Sequence, residues 1–137
     1  MDASFLLLSF LREEISEQAD RLLGQWRAAG ISLVAPPMVM MEVPSVLRQA
    51  VHRGRISVDR ADAAFETFDA LDLSVLEPPG LLRRAWEMGK DLNAPRLYDM
   101  FYVALADLEG CELWTADRRL ANLAQPRFPH VRWLGET

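Results

Sequence analysis

The sequence predicts an α/β fold: a three-layer α/β/α sandwich with a central parallel sheet of about four to five short strands and helices on both faces. Short apolar segments typical of buried strands alternate with longer segments of helical periodicity. Parallel strands need a crossover connection, usually a helix, so this alternation favours a parallel sheet. The 137 residues, half of them apolar, suit one domain with one core. We therefore interpret residues 1–137 as a single domain.

The helices are predicted from apolar residues three or four positions apart and from residues typical of helix ends. Ser16 is a favourable cap for the second helix and Gly30 a favourable stop. Pro44 lies inside the third helix and should kink it or shift its effective start. The predicted helical segments are residues 4–11, 16–30 and 37–53, a segment that begins at Ser57, a segment that carries Leu82, Ala85, Trp86 and Gly89, and residues 97–109 and 118–124.

The strands are predicted where short apolar segments are bounded by Gly, Pro or polar residues. The predicted strand segments are residues 31–35, 73–76, 112–115 and 131–134. Each is separated from the next by at least one predicted helix, which places their carboxyl ends at one edge of the sheet.

Composition excludes several classes of protein. The single cysteine, Cys111, excludes an internal disulfide and a multi-cysteine zinc site, so a cytoplasmic location is the simplest expectation. No apolar segment approaches the roughly 18 residues that a membrane span needs, and no basic segment typical of a signal peptide begins the chain. The net charge of −5, taken alone, argues against a general nucleic-acid binder.

Four acids lie where open parallel sheets place their sites, after strands or at helix starts. They are Asp2, Glu42, Asp99 and Asp117. Asp99 and Asp117 have a simpler interpretation as helix caps, because an Asp there interacts with free N–H groups and the helix dipole. Asp2 and Glu42 have mostly apolar neighbours, and a buried carboxylate needs a cation or polar partner. Such hard oxygen ligands favour Mg²⁺ or Mn²⁺ over zinc.

Four segments that carry these acids resemble, in the same order, the motifs of PIN-domain nucleases, and most closely those of VapC-like toxins. They are Asp-Ala-Ser-Phe at residues 2–5, Ala-Pro-Pro-Met-Val-Met-Met-Glu-Val at 35–43, Tyr-Asp-Met-Phe-Tyr-Val-Ala-Leu-Ala at 98–106, and Trp-Thr-Ala-Asp-Arg-Arg-Leu at 114–120. The resemblance runs nearly end to end and implies a PIN-like sandwich with its acids gathered in one groove.

The resemblance also implies an activity. Asp2, Glu42, Asp99 and Asp117 occupy the positions of the family's metal-binding acids. Members are typically Mg²⁺- or Mn²⁺-dependent ribonucleases that cut structured RNAs such as tRNA, often as homodimers held inactive by a cognate antitoxin of a type II toxin–antitoxin system. We expect Asp2, Asp99 and Asp117 to bind metal directly or through water, and Glu42 to bind metal or to orient the attacking water.

Neighbouring polar residues have predicted supporting roles. Ser4 and Thr115 are expected to hydrogen-bond the acids. Arg118 and Arg119, beside Asp117, and Arg96 are candidate contacts for RNA phosphates. The alternative for these arginines is a solvated surface.

Two features depart from the family pattern. Family members carry several apolar residues before the first acid, which form a central first strand, whereas only Met1 precedes Asp2. We expect this truncation to reflect an assigned start downstream of the natural one, since Asp2 on a frayed terminus would hold a metal poorly. Pro44, two residues after Glu42, could re-aim the Glu42 side chain.

Two other functions compete with the nuclease. One is a catalytically silent PIN-like module that only binds RNA or protein, which the complete set of four acids opposes. The other is a phosphatase of another α/β fold with Asp2 as nucleophile, which Ser4 opposes because a haloacid-dehalogenase-like motif has a second Asp there. No Gly-rich loop for nucleoside triphosphates is present.

Overall fold

The computed structural model describes residues 1–11 and 16–136, and these form helices and short strands in the predicted order. The helices are α1 (Ala3–Leu11), α2 (Ser16–Ala28), α3 (Val39–His52), α4 (Val58–Asp69), α5 (Leu81–Asp91), α6 (Leu97–Glu109) and α7 (Arg118–Ala124). The strands are β1 (Leu33–Ala35), β2 (Leu73–Val75), β3 (Leu113–Thr115) and β4 (Val131–Trp133), and a 3₁₀ turn, Leu134–Glu136, follows β4. Each strand is shorter than its apolar segment in the sequence.

Within the described residues, the strands form two parallel pairs rather than one continuous sheet. Strand β1 pairs with β2, with Leu33 opposite Leu73, and α3 and α4 make the crossover. Strand β3 pairs with β4, with Leu113 opposite Val131, and α7 makes the crossover. The parallel pairing and the helical crossovers are as predicted, but the expected single sheet is interrupted between β1 and β3.

Met1 and Asp2 lie beside β3 at this interruption. The backbone N–H of Asp2 donates to the carbonyl oxygen of Trp114 at 3.1 Å, and both Met1 and Asp2 are buried. A cleft of about 180 Å³ adjoins Met1, lined on one side by residues 31–34 and on the other by Cys111, Glu112 and Trp114. Asp2 does not sit on a frayed terminus, because a backbone hydrogen bond and burial fix it.

Helix α3 runs from Val39 to His52 with Pro44 inside it. Pro44 is the sixth residue of this helix and has no N–H to donate to the carbonyl of Met40, four residues earlier, yet the helix continues past it. Val39, Val43 and Leu47 are buried and hold this helix against the core. Glu42 lies near its N-terminal end, two residues before Pro44.

The core gathers around α1, whose Phe5 and Leu6 are completely buried. Helix α1 packs against α2, α3, α4 and β3, while α5 packs against α6. None of the helices in the described ranges is long and apolar enough to cross a membrane. The position of α1 brings the N-terminus of the chain, the start of α3 and the carboxyl end of β3 close together.

Candidate metal and active site

One groove of about 350 Å³ receives all four of the acids predicted from the sequence. Asp2 comes directly before α1, Glu42 from α3, Asp99 from the first turn of α6, and Asp117 from the N-cap of α7. Four segments that are far apart in the chain thus converge, at the carboxyl end of β3. The other lining residues are Ala3, Ser4, Pro95, Arg96, Tyr102, Arg119, Leu120 and Leu123.

Asp2 is held by three donors. Its Oδ1 accepts from the hydroxyl of Ser4 at 2.7 Å and from the backbone N–H of Phe5 at 3.0 Å. Its Oδ2 accepts from the hydroxyl of Thr115 at 2.5 Å. Since a carboxylate oxygen offers about two lone pairs, Oδ1 is filled and Oδ2 keeps one free acceptor position. Asp2 is only 5% exposed, so this network fixes the direction of that free position.

Ser4 and Thr115 also hold the loop that carries Asp117. The hydroxyl oxygen of Ser4 accepts from the backbone N–H groups of Ala116 at 3.0 Å and Asp117 at 3.2 Å. The hydroxyl oxygen of Thr115 accepts from the N–H of Asp117 at 3.0 Å. The two hydroxyls therefore couple the positions of Asp2 and Asp117, as their predicted supporting role requires.

Asp117 is the N-cap of α7. Its Oδ1 accepts from the backbone N–H groups of Arg119 at 2.8 Å and Leu120 at 3.4 Å, and its Oδ2 lies 3.4 Å from Nη2 of Arg119. The capping interpretation thus applies to this residue. Capping uses Oδ1 and leaves Oδ2 with unfilled acceptor capacity toward the groove.

Glu42 is bound by Tyr102, a residue whose role the sequence left open. The phenol O–H of Tyr102 donates to Oε2 of Glu42 at 2.7 Å. Tyr102 lies three residues after Asp99 on α6, and that spacing, which puts both on one helix face, was the available signal. The sequence could not show that Tyr102 on α6 contacts Glu42, which lies sixty residues earlier in the chain.

Asp99 is the least engaged of the four acids. The N-cap of α6 is Arg96, so Asp99 lies inside the first turn and its side chain is not the cap. Its carboxylate accepts no hydrogen bond from any residue in the described ranges, so both of its oxygens are open to a ligand.

Burial raises three pKa values in the groove, and repulsion between carboxylates adds to two of them. Burial raises the pKa of Asp2, although hydrogen bonds from Thr115 and Ser4 oppose the shift. Burial, then the charges of Asp2 and Asp117, raise the pKa of Asp99. Burial, then the charges of Asp2 and Asp99, raise the pKa of Glu42 against the hydrogen bond from Tyr102. Burial is the largest cause in each case, and for Glu42 and Asp99 the neighbouring carboxylates add repulsion that a bound cation would relieve.

Asp117 behaves in the opposite way. Burial raises its pKa, but hydrogen bonds and the charge of Arg119 outweigh burial and hold the pKa below its usual value. Asp117 is therefore a stable carboxylate at neutral pH, and its charge contributes to the repulsion on Asp99.

The donor set fits a hard divalent cation. All four groups are carboxylates, and the neutralising charge that they lack is what Mg²⁺ or Mn²⁺ would supply. As the side chains lie, no three acid, His or Cys side chains in the described part of the chain converge closely enough to enclose an ion. Mg²⁺ keeps several of its waters and takes only one or two carboxylates directly, so a wider ring that includes water-mediated ligands suits it.

The three arginines predicted to contact RNA are divided between two places. Arg96 and Arg119 line the groove. Arg118 is not among the lining residues, and its guanidinium lies 5.0 Å from the centre of the Trp133 ring. Arg96 and Arg119 thus flank the acids, whereas Arg118 packs on an aromatic face.

Without divalent cations, the three acids with raised pKa values should favour the folded state more as the pH falls from 7 toward 5. A carboxyl whose pKa is higher in the folded than in the unfolded chain binds protons preferentially in the folded state, so the free energy of unfolding falls as the pH rises. Asp2, Glu42 and Asp99 act in this direction. The α-amino group of Met1 acts in the opposite direction, because burial lowers its pKa and the unfolded chain then binds its proton preferentially. Asp117 opposes the three acids only near and below pH ~4, where its unfolded form takes up a proton. Thermal unfolding in EDTA at pH 5, 6 and 7 measures the slope.

The Asp99→Asn variant is the control for this prediction. It removes one of the three raised carboxyls and keeps the α-amino group of Met1, so its unfolding temperature should gain less than that of the wild type as the pH falls from 7 to 5. An unfolding temperature that rises from pH 5 to pH 7 equally in both proteins would contradict the electrostatic account of the groove.

A groove at the carboxyl end of a parallel strand, lined by four carboxylates and flanked by arginines, defines a candidate hydrolase site for phosphate esters. The chain belongs to the PIN domain family, whose sequence pattern matches residues 1–126. This confirms the family predicted from the four motifs and the α/β/α class of the fold.

Named relatives agree with this assignment. The chain is 34% identical over 129 residues to VapC ribonuclease Mb0985 of Mycobacterium bovis and to Ribonuclease VapC9 of Mycobacterium tuberculosis, covering 94% of this chain and 93% of each relative. It is 32% identical to Ribonuclease VapC3 of Pyrobaculum aerophilum, with the same two coverages. The similarity therefore extends across nearly the whole length of this chain and of each of these relatives.

Proposed function

We propose that this chain is a metal-dependent endoribonuclease that hydrolyses RNA phosphodiester bonds, and that it is the toxin of a type II toxin–antitoxin system. The observation that carries the proposal is the convergence of Asp2, Glu42, Asp99 and Asp117 in one groove. The ribonuclease names of relatives that align over 94% of the chain support the reaction class. A single core cluster that runs from Met1 to Leu134 supports one PIN-like domain over residues 1–137.

The free acceptor positions set different roles for the acids. Asp99 has both oxygens open and is the principal ligand in this proposal. Asp2 and Asp117 each keep acceptor capacity on Oδ2, in positions fixed by their partners. Glu42 keeps Oε1 open while Tyr102 holds Oε2, so it can contribute a ligand or orient a water.

A bound Mg²⁺ or Mn²⁺ supplies charge neutralisation at the leaving oxygen and a more acidic attacking water. The protein's own contribution is to fix the carboxylates. Ser4 and Thr115 hold Asp2 and the Asp117 loop in one arrangement, so little reorganisation is needed when the substrate arrives.

The acid excess of the chain is consistent with an RNA substrate when a cation is bound. An unneutralised groove of four carboxylates would repel phosphate. With a divalent ion in place, Arg96 and Arg119 at its margin offer the positive charge that a phosphate backbone needs.

The direct experiment for this function is cleavage of labelled total tRNA by the purified protein. Discrete fragments in Mg²⁺, their loss in EDTA and their return on adding excess Mg²⁺ are the expected results. Equal cleavage with and without EDTA would refute a metal-dependent nuclease, and tight RNA binding with no cleavage in Mg²⁺ or Mn²⁺ would favour the catalytically silent alternative.

Replacing Arg119 by Ala should weaken RNA binding several-fold and make it less dependent on salt. Each phosphate contact contributes roughly one unit to the slope of log affinity against log salt concentration, so the slope should fall by about one. Fluorescence anisotropy at several KCl concentrations measures both quantities. Arg21→Ala is the matched control, since Arg21 lies on α2 beside a different surface depression. Unchanged binding of Arg119→Ala at every salt concentration would remove Arg119 from the interface.

Arg118 remains a predicted RNA contact with weaker support than Arg119. Its guanidinium is engaged with Trp133, so an RNA phosphate or base would have to replace or extend that contact. In the same titration, Arg118→Ala should have a smaller effect than Arg119→Ala.

The proposed partners are a cognate antitoxin that covers the groove and a second copy of the chain. Exposed apolar side chains support a protein partner, since Leu82 and Trp86 lie one turn apart on α5 with more than half of each exposed. The proposed location of the protein is the cytoplasm.

A further inference from the structure

We propose that Tyr102 is a positioning residue that holds the Glu42 carboxylate at the groove, and so sets how strongly the site binds its divalent cation. This inference rests on the proposed function, because it concerns the same site. The contact that carries it is the hydrogen bond from the phenol O–H of Tyr102 to Oε2 of Glu42 at 2.7 Å.

Tyr102 is a rigid donor. Its side chain is 2% exposed and lies on α6, between the buried residues Met100 and Val103 and close to Ala106. A tyrosine has only two rotatable side-chain bonds, and burial of the ring fixes both. The hydroxyl is therefore presented at one place, and a hydrogen bond to an ionised carboxylate is stronger than one between neutral groups.

Glu42 needs such a restraint more than the other acids do. Its side chain has three rotatable bonds, is half-buried, and is repelled by the charges of Asp2 and Asp99. Asp2 and Asp117 are held by backbone N–H groups, whereas the bond from Tyr102 is the hydrogen bond that the Glu42 carboxylate accepts within the described residues. Without the hydrogen bond from Tyr102, rotation of the Glu42 side chain away from the carboxylates of Asp2 and Asp99 becomes favourable.

The bond also ties two elements of the site together. Tyr102 and Asp99 share one face of α6, and Glu42 lies near the N-terminus of α3, so the bond fixes the distance between Glu42 and Asp99 through rigid helices. Because Tyr102 donates only to Oε2, Oε1 of Glu42 stays free to bind a ligand, and the hydrogen bond fixes its orientation.

The test compares Tyr102→Phe with Tyr98→Phe. The first variant removes the hydroxyl of Tyr102 and keeps its buried ring. The second removes the hydroxyl of Tyr98, which lies one helical turn earlier, is 63% exposed and does not line the groove. Mn²⁺ binding by electron paramagnetic resonance and the Mg²⁺ concentration that half-saturates RNA cleavage are both measured. Tyr102→Phe should lower the Mn²⁺ affinity about tenfold and raise the half-saturating Mg²⁺ concentration about tenfold, which is the lower end of the loss expected when a hydrogen-bond partner of a metal ligand is removed. Tyr98→Phe should match the wild type in both.

A second pair separates positioning from a general structural effect. In a Glu42→Ala background, adding Tyr102→Phe should change neither the Mn²⁺ affinity nor the Mg²⁺ requirement, because the group it positions is gone. An equal loss in that background, or wild-type values for Tyr102→Phe alone, overturns the inference while the nuclease stands. A wild type that neither binds Mn²⁺ nor cleaves RNA overturns the proposed function and this inference with it.

Discussion

Asp99→Asn should reduce RNA cleavage at saturating Mg²⁺ by at least about 100-fold, since removing a partner of a ligand already costs 10–100-fold. Asp99 has both carboxylate oxygens free of hydrogen bonds within the described residues, so a cation meets least competition there. The amide of Asn has the same shape but no charge and only one acceptor oxygen. Initial cleavage rates on labelled tRNA across a Mg²⁺ titration give the size of the effect.

The same substitution should leave the fold intact. Asp99 is half-buried and repelled by Asp2 and Asp117, so removing its charge relieves repulsion. The unfolding temperature in EDTA should be equal to or slightly above that of the wild type. Asp107→Asn is the matched control, because it makes the same change on α6 and costs only a partly exposed ion pair with Arg84. Full cleavage by Asp99→Asn, or an equal loss in Asp107→Asn, would refute the assignment of Asp99.

Asp2→Ala should lose both cleavage and stability, with a free energy of unfolding lower by about 2–4 kcal/mol. Three donors would lose their acceptor in a buried setting: the hydroxyls of Ser4 and Thr115 and the N–H of Phe5. The loop that carries Asp117 would also lose the fixed hydroxyls that hold it. Urea unfolding monitored by circular dichroism measures the change.

From the sequence alone, Asp2→Ala is expected to abolish metal-dependent cleavage and to leave the fold intact; the hydrogen-bond network around Asp2 changes the second expectation. Asp2→Asn separates the two effects, because its side-chain oxygen still accepts hydrogen bonds while the negative charge is gone. It should retain more stability than Asp2→Ala and still cleave poorly. An Asp2→Ala protein as stable as the wild type would contradict the structural role of the network.

The order of helices and strands was predictable because it depends on local patterns. The apolar stripe of α6 and the stop at Gly110, whose φ is +64°, are both visible in the sequence. Strand ends were less predictable: residues 31–35 formed the predicted strand, but only Leu33–Ala35 pair with β2. Pairing depends on the partner strand, which is forty residues away.

The interruption of the sheet between β1 and β3 was less predictable from the sequence than the order of the elements. The sequence did not indicate that Asp2 would donate a backbone hydrogen bond to Trp114 of β3, or that Met1 and Asp2 would both be buried there. That arrangement arises because α1 begins at Ala3 and packs on β3, which draws the two preceding residues into the gap.

The four acids were predictable from their places after strands and at helix starts, but their partners were not. The bond from Tyr102 to Glu42 spans sixty residues and depends on how α3 meets α6. Likewise, adjacent arginines take different directions, with Arg119 beside Asp117 and Arg118 against Trp133. Local sequence does not determine such choices, because tertiary contacts select the rotamers.

The central claim is that the four carboxylates form one divalent-cation site, and Mn²⁺ binding to the EDTA-treated, dialysed protein tests it most directly. Electron paramagnetic resonance titrations would compare the wild type, Asp99→Asn and Asp107→Asn at pH 7. We predict that the wild type and Asp107→Asn bind Mn²⁺ with equal affinity and that Asp99→Asn binds at least about tenfold more weakly. A wild type with no Mn²⁺ binding, or an Asp99→Asn protein that binds as tightly as the wild type, would contradict the account.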